Sequence, residues 1–183
     1  MAGEMKEDIL KVLITEDELR AKVKELGAQI TRDYEGKEPF FVGVLRGCYV
    51  FMADLVRNVD LSCTMDFMAV SSYGKGTTST GAVKITRDLS EDIEGKDVII
   101  VEDILDSGVT LSYLKTYLLN RKPSSIRIVT LLDKPERRTK AVTADYYGFS
   151  VPNEFVVGYG LDYAEKYRNL PYIGVLKPEV YSK

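Results

Sequence analysis

The chain has no histidine, no tryptophan and only two cysteines, Cys48 and Cys63. Without histidine there is no Ser–His–Asp triad, no Cys–His dyad and no His-based zinc site. Any acid–base step must fall to Asp, Glu, Lys or Tyr. Two cysteines in 183 residues make no disulfide framework, and both read as reduced thiols of a cytoplasmic protein. Aromatic contacts rest on 12 tyrosines and 6 phenylalanines. No apolar run is long enough to span a bilayer, and the opening MAGEMKEDILK, charged throughout, is not the pattern of a signal peptide. The net charge of −3 gives no basic footprint for nucleic acid and no hint of a membrane surface. Internal repeats and coiled-coil heptads are absent.

What remains is the composition of an ordinary globular protein, 45% hydrophobic and 29% charged, long enough for one domain over residues 1–183 with a full core. The rest of the chain is organised around Val98 to Leu119, VIIVEDILDSGVTLSYLKTYLL. Val98-Ile99-Ile100-Val101 is the unbroken β-branched run of a strand buried on both faces of a parallel sheet. Glu102 and Asp103 follow where that strand is expected to end. Asp106-Ser107-Gly108-Val109-Thr110 reads as a small polar turn, and Leu111, Leu114, Leu118 and Leu119 as one face of a helix stopped before Pro123. In open α/β sheets ligands bind at the carboxyl ends of strands. A turn of small residues feeding a helix N-terminus offers backbone N–H groups to an anion. Two adjacent carboxylates suit Mg²⁺. Together they point to an anionic sugar phosphate with a metal.

In chain order, Thr15 and Glu18 suggest a capping box opening a helix with Leu19, Val23, Leu26 and Ile30 on one face. Phe40 to Leu45 is a buried strand ending in Arg46-Gly47, followed by a helix through Val50, Phe51, Leu55 and Val56. Leu61 to Val70 is a further strand. Ser71 to Gly81, SSYGKGTTSTG, reads as a flexible linker or as a lid over a reacting centre. It is not a Walker A loop, because Gly76 follows Gly74-Lys75 and Ala69 stands at the first glycine position. Val83 to Thr86 is the return arm of a hairpin. Ile126 to Leu132 completes a right-handed βαβ unit and ends in Asp133-Lys134-Pro135. Glu136-Arg137-Arg138 reads as a solvated charged face. The aromatic, turn-rich segments after about residue 145 suit a small hood over the sheet edge.

VIIVEDILDSGVTL resembles the phosphoribosyl-pyrophosphate (PRPP) motif of type I phosphoribosyltransferases: a hydrophobic strand, two acids, two apolar residues, Asp-Ser/Thr-Gly and a nearby Thr. Phe155 to Tyr163 with Tyr167-Arg168-Asn169-Leu170-Pro171-Tyr172 is similar to the C-terminal part of the hypoxanthine-guanine branch. Leu45-Arg46-Gly47, Ser72-Tyr73 and Leu132-Asp133-Lys134 match that branch in the same order, so the likeness runs from about Thr15 to Pro178. It implies an α/β fold, a parallel-sheet type I phosphoribosyltransferase core with a small C-terminal hood contributed by about residues 145–183. It implies purine salvage, in which hypoxanthine or guanine and PRPP give IMP or GMP and pyrophosphate, in a homo-oligomer, dimer or tetramer.

The resemblance also implies roles by position. Glu102 and Asp103 serve Mg-PRPP, and Asp106 is the general acid/base at the imidazole edge of the purine. Ser107, Gly108, Val109 and Thr110 wrap the 5′-phosphate. Leu45, Arg46 and Gly47 form the pyrophosphate loop, with a non-proline cis peptide, and Arg168 holds pyrophosphate. Ser72 and Tyr73 close the lid. Lys134 donates to the 6-oxo group, Phe155 stacks on the ring, Val156 contacts the base through its main chain, and Asp162 accepts from the 2-amino group and can hold a second Mg²⁺. Two positions depart from relatives: Arg46 replaces a common lysine, and Val109 stands where some have lysine. Residue chemistry agrees with this assignment. Loss of pyrophosphate builds oxocarbenium-like charge that carboxylates stabilise, and a lysine, a donor without an acceptor, favours a 6-oxopurine over adenine. Two alternatives remain at this point, a xanthine-preferring relative and a regulatory PRPP-binding protein on the same fold.

Overall fold

The computed structural model describes residues 4–72 and 82–182. In chain order they form α1 (Glu4–Glu7), β1 (Ile9–Ile14), α2 (Glu16–Asp33), β2 (Phe40–Leu45), α3 (Tyr49–Val56), β3 (Thr64–Ser72), β4 (Val83–Arg87), β5 (Asp97–Leu105), α4 (Val109–Leu119), β6 (Ser125–Asp133), β7 (Tyr146–Ser150), β8 (Val156–Val157), β9 (Ile173–Leu176) and α5 (Pro178–Tyr181). Six strands make one sheet in the order β4-β3-β2-β5-β6-β7, parallel except for the β3–β4 hairpin. A second, antiparallel sheet has the order β1-β9-β8.

The central strands are apolar throughout because both faces are covered. Side chains alternate along a strand, so Phe41, Ile99, Val101, Val129 and Leu131 pack on one face with Leu19, Val23, Leu26 and Ile30 of α2 and Phe51, Met52 and Leu55 of α3. Phe40, Val42, Val98, Ile100 and Ile128 pack on the other with Leu111, Leu114 and Leu118 of α4. The capping box is present: Glu18 N donates to Thr15 Oγ1 at 3.2 Å, and Thr15 N donates to Glu18 Oε2 at 2.8 Å.

Several boundaries differ from the sequence reading. β5 continues to Leu105, because its ladder to β6 runs on through Ile104↔Leu132 and Leu105↔Asp133. Glu102 and Asp103 therefore lie within the strand, not beyond it. β3 starts at Thr64 instead of Leu61 and pairs with the expected return arm, Ser72 opposite Val83. Ser72 closes β3, whereas Tyr73 and the rest of the proposed lid to Gly81 lie outside the described residues. The segment after residue 145 divides between the sheets: β7 is an edge strand of the larger one, while β8 and β9 belong to the smaller. The smaller sheet also takes β1, a strand the sequence reading did not assign, through Ile14↔Ile173 and Val12↔Gly174.

Candidate active site

Two adjoining cavities open where the parallel strands end. One, of about 420 Å³, lies between Leu45-Arg46-Gly47, the residues from Glu102 to Gly108, Thr110, Asp162 and Arg168. The other, of about 450 Å³, is lined by Lys134, Arg137, Glu154, Phe155, Val156 and Tyr181. Asp103, Ile104, Asp106 and Asp162 line both. A larger hollow of about 560 Å³ lies between α2, α3 and residues 168–171, but it lacks the carboxylate pair and shares only Arg168 with the first. Chemistry therefore selects the adjoining pair over size.

Of the carboxylate pair, Glu102 is buried in spite of its charge and Asp103 is half-buried. Glu102 is 8% exposed. Burial, and then the neighbouring Asp103 charge, push its carboxyl well above the usual carboxylate range. Burial raises Asp103 as well, against the pull of its hydrogen bonds and of Arg168. Asp103 Oδ1 accepts from Ile104 N at 2.8 Å, and Glu102 Oε1 accepts from Asp103 N at 3.3 Å. The Leu45–Arg46 peptide is cis, as the resemblance implies. A side chain at Gly47 would place its Cβ 1.8 Å from Asp103 Oδ2. Only glycine lets that loop lie against the carboxylate. Cys48 beside it is fully buried, and burial pushes its thiol up, so it is no nucleophile.

The turn after β5 is shaped as a cradle. Gly108 is the N-cap of α4 at φ +83°, with no side-chain cap. A Cβ there would meet Val142 Cγ1 at 2.6 Å. The first N–H groups of a helix have no intrahelical partner; Val109 N makes only a long bond to Ser107 Oγ, 3.4 Å, so this end can turn to an anion. Ser107 O accepts from Thr139 N at 2.9 Å and Lys140 N at 3.2 Å, fixing the turn from behind. Asp106 precedes the cap and does not serve as one.

The second cavity holds Lys134, Phe155 and Val156, while Arg46 and Arg168 lie at the first. Lys134 is 7% exposed and donates from Nζ to Glu154 O at 2.8 Å. Burial is the main cause lowering its pKa, partly opposed by Asp106 and Glu154. Phe155 stacks on Tyr181, centroids 4.8 Å apart, and meets Tyr163 edge-on at 5.5 Å. Buried Val156 sits in β8 opposite Val175. Arg168 donates to Gly160 O at 2.7 Å and pairs with Asp162 at 3.2 Å and Glu165 at 3.4 Å, while Arg46 pairs with Glu165 at 2.6 Å.

Mg²⁺ fits the pair Glu102 and Asp103, whose burial and mutual repulsion favour a cation. Among the described residues no three His, Cys, Asp or Glu side chains close into a metal cage. That suits an ion which keeps waters and takes substrate oxygens. The Asp162 carboxylate is instead engaged by Arg168 and by Glu165 N at 2.9 Å.

In the run Glu136-Arg137-Arg138, Glu136 and Arg137 are exposed as its charge suggests, but both arginines also bond to Asp106. Arg138 is part-buried and donates to Asp106 O at 3.1 Å and Val142 O at 2.7 Å, and it pairs with Asp133. Arg137 donates from Nε to Asp106 Oδ1 at 3.0 Å. The signal was Pro135 two residues past the end of the strand, which opens a 3₁₀ turn, Pro135–Arg137, that brings both arginines back to Asp106. Tyr181 was likewise missed, since a single tyrosine in a four-residue helix carries no pattern.

Comparison with known proteins agrees with this geometry. The sequence model of the phosphoribosyl transferase domain matches residues 14–164. A hypoxanthine-guanine phosphoribosyltransferase of Bacillus subtilis is 60% identical over 177 residues, covering 97% of this chain and 98% of that protein. The bifunctional protein TilS/HprT of Listeria innocua is 62% identical over 179 residues; the match takes in 98% of this chain, which spans 28% of that longer relative. A crystal structure of a hypoxanthine phosphoribosyltransferase from Staphylococcus aureus superposes with a TM-score of 0.94 at 55% identity, covering 98% of this chain and 97% of that one.

Proposed function

The chain belongs to the phosphoribosyltransferase family, within its hypoxanthine-guanine branch, and from that premise we propose that it transfers the phosphoribosyl group of PRPP to hypoxanthine or guanine, giving IMP or GMP and pyrophosphate. The observation that carries the reading is Asp106, which lines both cavities between an acid pair and an uncapped helix end on one side and a lysine and a phenylalanine on the other. Two substrates that react with each other need such a shared wall.

In this reading the 5′-phosphate lies on the open N–H groups of α4 and on Ser107 and Thr110, and the pyrophosphate lies between Leu45-Arg46-Gly47 and Arg168. Glu102 and Asp103 would hold Mg²⁺, which when bound offsets charge on the leaving pyrophosphate. The purine enters against Phe155 and Val156, with Lys134 donating to O6 and the Asp162 carbonyl accepting from a 2-amino group. The bond from N9 to C1′ forms as the bond from C1′ to pyrophosphate breaks with its electron pair. Asp106 takes the proton that the imidazole ring loses. Ser72 and Tyr73 would close the lid. The whole chain acts as one domain, in a homo-oligomer. The free thiols of Cys48 and Cys63 suit a cytoplasmic setting, and among the described residues no helix is long and apolar enough to cross a membrane.

The test is an assay of nucleotide formation from PRPP with hypoxanthine, guanine, xanthine and adenine offered singly. Turnover of the first two well above the others is expected. Preference for xanthine, or no turnover of any base, overturns the reading.

A further inference from the structure

Asp106 has an unusual pair of restraints. Arg138 donates from Nε to its backbone oxygen, and Arg137 donates from Nε to Oδ1 of its side chain. The two arginines are sequence neighbours, yet their jobs differ. Arg138 also reaches Val142 O and Asp133, so it is part of the scaffold behind the turn. Arg137 lines the second cavity, and its ion pair with Asp106 is half-exposed, with side chains 52% and 40% accessible. A pair so exposed adds little to stability. Among the described residues, Arg137 is the only hydrogen-bond donor to the Asp106 carboxylate, and Oδ2 accepts none. Asp106 does not cap α4, because Gly108 holds that position without a side-chain cap. Apart from the charge of Lys134 across the cavity, no other group holds this carboxylate among the described residues.

We infer that Arg137 is a positioning residue for proton transfer: by holding Oδ1 it turns Oδ2 of Asp106 toward the imidazole edge of the bound purine. The inference rests on the general-base reading of Asp106. It follows the logic by which a base is itself oriented by a third group. A carboxylate free to rotate spends much of its time misaligned, and alignment in the bound geometry is a large part of catalysis. Arg137 lines the base cavity, where its charge also lowers the Lys134 pKa, and it touches neither the phosphate cradle nor the acid pair. Its removal should therefore lower kcat and leave the KM for PRPP alone.

The experiment is a double-variant cycle with Arg137→Gln and Asp106→Asn, read as kcat and both KM values for nucleotide formation, with Arg137→Lys alongside. Arg137→Gln should lower kcat about tenfold, within the range of coupling between contacting residues. The KM for PRPP should be unchanged, and Arg137→Lys, which keeps a charged donor, should recover part of the loss. In the Asp106→Asn background Arg137→Gln should cost nothing further. An equal loss in both backgrounds overturns the inference, as does an unchanged kcat in Arg137→Gln when Asp106→Asn is impaired. If Asp106→Asn itself keeps full kcat, the general-base reading fails, and the role of Arg137 falls with it.

Discussion

At the scale of single residues, the site buries a carboxyl that water would otherwise keep ionised. Glu102 has a folded-state pKa raised above the ordinary glutamate value of 4.5 by burial and by Asp103. A raised value means that the folded protein binds the proton more tightly than the unfolded chain. The stability from this group is present at pH below 4.5 and is lost as pH rises through the shifted value. The melting temperature of the ligand-free protein should therefore fall more between about pH 5 and pH 8 than that of Glu102→Gln. Mg²⁺ with PRPP should restore the wild type at the higher pH and do much less for the variant. Parallel melting curves for the two proteins would contradict the assignment. Lys134 gives a second prediction. Its ammonium already bonds Glu154 O and faces the second cavity. Lys134→Gln should raise the KM for hypoxanthine and guanine by the loss of a charged hydrogen bond, about 1.5–3 kcal/mol, with little change in the KM for PRPP. If PRPP binding weakens instead, Lys134 belongs to the phosphate side. Both residues were legible in the sequence, because Glu102 directly follows an apolar run and Lys134 follows one after Asp133. Arg137 and Arg138 were not. A charge run is solvated by default, and only the turn opened by Pro135 redirects it.

At the scale of elements, the buried strands β2, β5 and β6 and the helix α4 follow from their apolar runs, and the structure bears them out. The end of β5 was misread because acids usually mark a strand's exit. Here the ladder to β6 carries them inward, which buries Glu102 and half-buries Asp103. The join between β5 and α4 is where local backbone chemistry becomes binding. Gly108 holds φ +83°, a conformation that costs other residues about 1–2 kcal/mol, and a Cβ there also strikes Val142. Gly108→Ala should thus lower the melting temperature and raise the KM for PRPP together, because the cradle and the helix start are one structure. Asp106→Asn should separate from it. Asp106 is not the cap, so stability should hold, while kcat falls by the contribution of a general base, about 10²–10⁴-fold. A large loss of melting temperature in Asp106→Asn would show that its role is structural.

At the scale of the whole molecule, the two cavities draw on both sheets. The phosphate cradle and acid pair lie at the end of the larger sheet. The second cavity lies between the ends of β5 and β6, with Asp106 and Lys134, and the smaller sheet, whose strand β8 carries Val156 and whose Leu176 N donates to Phe155 O at 2.8 Å. The sequence could not reveal that β1 completes this hood. Its partner β9 lies at the far end of the chain, and no local pattern encodes a pairing so distant. The run Ile9–Ile14 also leaves Leu10 and Val12 exposed, which blurs its alternation. Ile173 joins the hood to the core. It is fully buried in β9, pairs with Ile14 of β1, and packs in the same cluster as Leu19 and Val129. Ile173→Ala opens a cavity at that joint and should cost about 2–5 kcal/mol of stability in urea titrations. If the hood positions the base and the larger sheet positions PRPP, the surviving folded enzyme should show a raised KM for guanine and hypoxanthine with a nearly normal KM for PRPP. A rise in the PRPP value of equal size would mean that the two sheets act on both substrates as one body.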